Sequence, residues 1–167
     1  MLELKWGAIV VMASFIWVCV EYVFGLHDQH IELQPLFTTL WIPFALLLVF
    51  VALREKKRAV GGRLTYWQGV RSAALMGIVV GLLTPPSIWV FFRFVNPGFF
   101  DAMIDQSVAT GVSRADAEAY FSESRYLLME GVGGALGTVV VGLLVMVFLR
   151  APTKRAHAPS RNGGGET

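Results

Sequence analysis

The chain has 167 residues, of which 55% are hydrophobic and only 16% charged, and its mean hydropathy is +0.59. That apolar share excludes an ordinary water-soluble domain. A single cysteine excludes an internal disulfide, and a net charge of +2 is too small for a dedicated nucleic-acid surface.

About 20 apolar residues are needed to cross about 30 Å of hydrocarbon as a helix. Four stretches meet that length. The first covers about residues 6–26 and is broken only by Glu21, and the second, about 36–53, carries no charge. The third, about 70–95, has no ionisable side chain between Arg71 and Arg93, and the fourth, about 130–149, has none between Glu130 and Arg150. Lipid offers no partner to a bare backbone N–H or C=O, so each stretch must be helical. The fold expected is all-α: a polytopic membrane protein forming a four-helix transmembrane bundle over residues 1–150. The first stretch reads as a retained anchor, because Leu26-His27-Asp28 offers no small-residue cleavage site. Cys19 reads as a buried, reduced thiol.

Lys5, Arg54, Lys56, Lys57, Arg58, Arg63, Arg71, Arg150, Lys154, Arg155 and Arg161 fall on one side, eleven of the 14 Lys and Arg. Arg93, Arg114 and Arg125 fall on the other. The positive-inside rule then places both termini in the cytoplasm. The basic run from Arg54 to Arg58 reads as an anchor between spans two and three, and Trp6, Trp41, Tyr66 and Trp67 suit the interfacial aromatic belt.

Between spans three and four, about residues 97–126 form an extracytoplasmic helical cap. Asn96-Pro97-Gly98 is turn chemistry that stops the third helix. Phe99, Phe100, Met103, Ile104 and Val108 then recur at helical spacing up to Gly111. Ser113, with Asp116 three residues later, caps a further short helix. The cap is expected to roof the bundle rather than lie on the outer leaflet. Residues 151–167 have no apolar period and many breakers, which predicts a disordered cytoplasmic tail.

Helices in lipid associate through close backbone approach and polar contacts. Ala73, Gly77 and Gly81 form a small-residue ridge on span three; Gly133 and Gly137, beside Gly134, Thr138 and Gly142, form another on span four. These faces are expected to meet, the alternative being that one is a homodimer face. Pro85 and Pro86 predict a kink in span three, with Thr84, Ser87 or water serving the carbonyls of Gly81 and Leu82.

Glu21 is the ionisable residue deepest in an apolar run, and a bare carboxylate there is costly. Arg93 is the expected counter-ion, with Glu130 joining an intramembrane ion-pair cluster, and Ser14, Trp17 and Glu21 share a helix face. His27, Asp28, His30 and Glu32 invite a metal reading but lack a recognised ligand frame, so no metal or cofactor is expected. No phosphate loop, nucleophile elbow, Cys-pair motif or His-Glu-x-x-His helix occurs, which argues against an enzyme.

Lys5-Trp6-Gly7, Glu21-Tyr22 leading to Gly25-Leu26-His27, Leu64-Thr65-Tyr66-Trp67-Gln68-Gly69 and Phe94-Val95-Asn96-Pro97 occur in that order. With them, residues 3–150 resemble the bacterial domain-of-unknown-function family 4199. The resemblance implies a bacterial four-span integral membrane protein and brings no activity with it; Pro85-Pro86 departs from its pattern. The function expected is a non-enzymatic structural or interaction protein, whose partners are the bilayer and either a further copy or another membrane protein, not nucleic acid. The alternative is a small proton- or cation-coupled transporter using Glu21.

Overall fold

The computed structural model describes residues 1–27 and 29–149. Asp28 of the metal reading, Arg150 and the tail expected to be disordered lie outside the described residues. Seven α-helices run in order: α1 (Leu2–Val23), α2 (Gln34–Thr39), α3 (Trp41–Ala59), α4 (Tyr66–Phe94), α5 (Phe99–Ala109), α6 (Arg114–Tyr120) and α7 (Glu123–Leu149), with a 3₁₀ turn at Ile31–Leu33 before α2. Among the described residues, four segments are long and apolar enough to cross a membrane: α1, α2 with α3, α4, and α7. The protein is an all-α, four-span membrane bundle.

Local chemistry fixes the ends of these helices. Three of them close on a glycine with positive φ: Gly25 (φ 69°), Gly61 (φ 78°) and Gly111 (φ 96°). After α1, Gly25 N–H donates to the Tyr22 carbonyl and Leu26 N–H to that of Glu21, the paired bonds of a Schellman turn. Thr65 and Gln68 form a reciprocal capping box that starts α4, and Ser113 accepts the Asp116 N–H at the start of α6. The second span is not one rod. Pro43 lies in the first turn of α3 and cannot donate, so α2 ends at Thr39 and the helix restarts at Trp41. The basic run from Arg54 to Arg58 belongs to the last turns of α3 rather than to a loop. The fourth span, α7, also begins earlier than expected, at Glu123, and thereby takes in Tyr126.

At the centre of the bundle α4 packs chiefly on α7, and next on α1. The small-residue ridge of α4 does meet α7, with Gly142 in the contact as expected, but through Gly131 and Ala135 rather than Gly133 and Gly137. A Cβ on Gly77 would stand 2.8 Å from the Ala135 carbonyl oxygen, and one on Gly131 would stand 2.8 Å from Pro85 Cγ. One on Gly142 would collide with Ala73. Gly133 and Gly137, expected in this seam, have open space where a side chain would be. The seam is a stripe at four-residue spacing through Gly131 and Ala135, and Gly133 and Gly137 each follow one of these by two residues, some 200° around the helix at about 100° per residue.

Helical assignment continues through Pro85 and Pro86. Ser87 Oγ donates to the Thr84 carbonyl at 2.8 Å, not to the carbonyls of Gly81 or Leu82. The Gly81 carbonyl faces Gly131 instead.

Two clusters hold the ends of the bundle. At the end carrying the N-terminus, Val49, Leu53, Leu64, Met76 and Met146 are buried together. At the other, Phe91, Phe92 and Phe99 are buried, with Phe100, Met103 and Tyr126 packed against them. Phe92 stacks on Phe99 with ring centroids 4.7 Å apart. The α5–α6 hairpin is therefore docked on the bundle by the first turns of α5.

Candidate functional site

Glu21 lies near the C-terminal end of α1 and is only 3% exposed. Trp17, one turn earlier on the same face, donates its indole N–H to Glu21 Oε1 at 2.7 Å. Thr38 Oγ1 donates to the same oxygen at 3.1 Å. The other oxygen, Oε2, faces His27 Nε2 at 3.5 Å. The Schellman turn at Gly25 folds the chain back on itself, and this is what brings His27 against Glu21.

His27 is also buried, in a box of Phe91, Phe99 and Tyr22 with ring centroids 5.4–6.2 Å away. Behind it stands Asn96, with Nδ2 3.4 Å from His27 Nδ1. When Asn96 donates to Nδ1, the imidazole proton lies on Nε2 and points at the carboxylate. The result is a polar chain of Asn96, His27 and Glu21 running from the start of the cap into the bundle. His30 and Glu32, grouped with His27 in the metal reading, are exposed.

Arg93, the expected counter-ion, is exposed and forms no ion pair among the described residues. The reason is helical phase. On α4, Val80, Thr84, Ile88 and Phe92 repeat every four residues and face inward, so Arg93 is turned about 100° away. His27 occupies the place foreseen for it.

Glu130 lines, together with Glu21, a partly open cavity of about 320 Å³ between α1, α2, α3, α4 and α7. Ser14, Trp17 and Glu21 line one wall of it, as their shared helix face requires. Tyr126, Glu130, Gly133 and Gly137 line the α7 wall, and the two glycines leave it open. Trp41, expected in the interfacial belt, faces the same cavity and lies 6.1 Å from Trp17 between ring centroids. Thr84, 7% exposed, also lines the wall, and its hydroxyl makes no hydrogen bond with another described residue. Cys19 is half-buried and free, outside the cavity wall and against the aromatic cluster.

Sequence reasoning finds Glu21, Ser14, Trp17 and Glu130 but not His27 or Asn96 in these roles. Their signals are present, Gly25 for a reversing turn and Asn96 beside Pro97, but both read equally well as loop chemistry.

The profile of the family described as "Protein of unknown function (DUF4199)" matches residues 5–151. The chain belongs to this family. No curated protein and no solved structure matches it. Family membership assigns no role to Glu21 or its neighbours.

Proposed function

We propose that the protein is a non-enzymatic, multi-pass protein of the bacterial inner membrane, with both termini in the cytoplasm, and that it acts as a small proton- or cation-coupled carrier whose embedded acid is Glu21. The observation carrying the carrier reading is that Glu21 and Glu130 face one cavity whose wall contains no Lys, Arg or His. His27 meets Glu21 Oε2 from outside the cavity, but no basic side chain stands on the wall that Glu21 shares with Glu130, and a proton or a passing cation is what would balance the second acid there. The orientation rests on the eleven-to-three distribution of Lys and Arg.

The test is made in proteoliposomes that are acidic inside and loaded with a pH-reporting dye. Sodium, potassium and small organic ammonium ions are added outside in turn. Entry of at least one of them is expected to drive proton exit through the wild type, raising lumenal pH, and to fail with Glu21→Gln. A wild type silent toward every cation, or a Glu21→Gln variant as active as the wild type, would overturn the carrier reading.

A second reading, a structural or interaction subunit, is favoured by the α5–α6 hairpin. Its Asp101, Asp105, Asp116 and Glu118 are exposed beyond the bundle. On that reading, charge reversal at Asp101 and Glu118 releases a membrane partner that co-purifies with the wild type.

A further inference from the structure

Building on the carrier reading, we infer that the cavity binds an amphipathic organic cation, with an ammonium head beside Glu21 and Glu130 and an apolar body reaching toward the middle of the membrane. Three features of the cavity select this class. The first is charge: two acids and no Lys, Arg or His line the wall, His27 standing behind Glu21 rather than on it, so an anion is repelled and a cation is favoured over a neutral molecule. The second is the aromatic lining. Trp17, Trp41, Phe92 and Tyr126 lie around the acid-bearing part, and aromatic faces attract a weakly hydrated cation. The third is polarity along the axis. The acids, Gln34 and Thr38 stand toward the α5 end, whereas the opposite end is floored by Val10, Val11, Val49, Val80 and Val141.

Thr84, 7% exposed, adds a hydroxyl-bearing side chain to the wall between the acids and the apolar floor. The volume of about 320 Å³ is at the small end of ligand sites, which span about 300–1,000 Å³. A single ring or short alkyl chain on an ammonium fits that size. Gly133 and Gly137 supply the room, since a Cβ at either would meet nothing within 4 Å.

The probe is phenyltrimethylammonium, and tert-butylbenzene is its neutral counterpart of the same shape. Binding is measured by quenching of tryptophan fluorescence and by calorimetry, with the full chain in phosphatidylcholine nanodiscs. Saturable binding of the cation is expected, at least tenfold tighter than that of tert-butylbenzene, and weakened at least tenfold in Glu21→Gln and in Glu130→Gln. Gly137→Leu fills the cavity without touching the α4–α7 seam and is expected to abolish binding while leaving the melting temperature unlowered. Equal affinity for the neutral compound, or undiminished cation binding in Gly137→Leu, would overturn the assignment. Proteoliposome flux separates the two claims. Binding without flux keeps the site and ends the carrier reading, whereas inorganic-cation flux with no binding of the organic probe keeps the carrier and ends this ligand class.

Discussion

At the residue scale the decisive arrangement is a carboxylate answered by an imidazole rather than by a guanidinium. Glu21 and His27 are six positions apart in sequence, and both are almost wholly buried. In a low-dielectric setting, removing one partner leaves the other without its hydrogen bond, at a cost of about 1–3 kcal/mol. Thermal unfolding in mild detergent of His27→Ala, Glu21→Gln and the double variant should therefore show losses that fail to add, with a coupling of about 0.5–3 kcal/mol. Arg93→Gln combined with Glu21→Gln should add to within about 0.5 kcal/mol. Additive losses for the His27 pair, or strong coupling to Arg93, would reverse the assignment. The turn between the two residues has its own test. An Ala at Gly25 must adopt φ near 69°, where a Cβ costs about 1–2 kcal/mol, so Gly25→Ala should lower stability by that amount. It should also restore exchange of the His27 ring proton with solvent in NMR spectra. Glu21 is legible in the sequence because a charge interrupts an apolar run. His27 is not, because its burial depends on the backbone reversal at Gly25 and on the aromatic box that α4 and α5 bring to it. Neither is a local property of the residues around His27.

At the element scale, α4 and α7 show how one composition serves two purposes. Both helices are rich in small residues, and spacing alone cannot tell which of them face a helix and which face a void. Ala73, Gly77 and Gly81 keep a strict four-residue repeat and form the seam, as their regular spacing predicts. On α7 the glycines at 131, 133, 134, 137 and 142 spread around much of the helix, so the contact stripe is settled only by docking. Gly131 and Gly142 carry the close approach, while Gly133 and Gly137 border the cavity. Substitution separates the two sets. Gly77→Leu drives a side chain into the Ala135 backbone, and overpacking of this kind costs about 1–3 kcal/mol. Gly133→Leu enters open space and replaces the poorest helix former after proline, so its melting temperature should be unchanged or higher. Equal destabilisation by the two changes would mean that both glycines lie in a packed interface, such as one between copies of the chain. The α2–α3 break follows similar logic. Pro43 is visible in the sequence, yet a proline in the first turn of one long span and a proline restarting a second helix look alike until Leu40 is seen as the junction.

At the scale of the whole molecule, a polar clasp joins the helix ends that carry most of the basic residues. Lys56 Nζ reaches Glu3 at 2.7 Å, Ser72 Oγ donates to the same carboxylate oxygen at 2.8 Å, and Lys5 pairs with Glu55 at 3.0 Å. Lys57 Nζ donates to the Leu149 carbonyl at 3.0 Å, closing the end of α7 with a cation where the helix dipole favours one. The start of α1, the end of α3, the start of α4 and the end of α7 are thus tied at one end, and the α5–α6 hairpin stands at the opposite one. If Lys and Arg retention sets the orientation, the clasp lies at the cytoplasmic face and the hairpin outside. Single cysteines in a Cys19→Ser background test this in intact cells. Ser113→Cys, in the hairpin, should react with a membrane-impermeant maleimide directly, whereas Arg63→Cys should react only after the membrane is opened. Arg63 is the better site on the α3–α4 connection because Gly61 and Gly62 both have positive φ, which a cysteine would strain. Reaction of both sites from outside would break the four-span topology itself, while a reversed pattern would leave the bundle intact and place the acid-lined end of its cavity toward the cytoplasm.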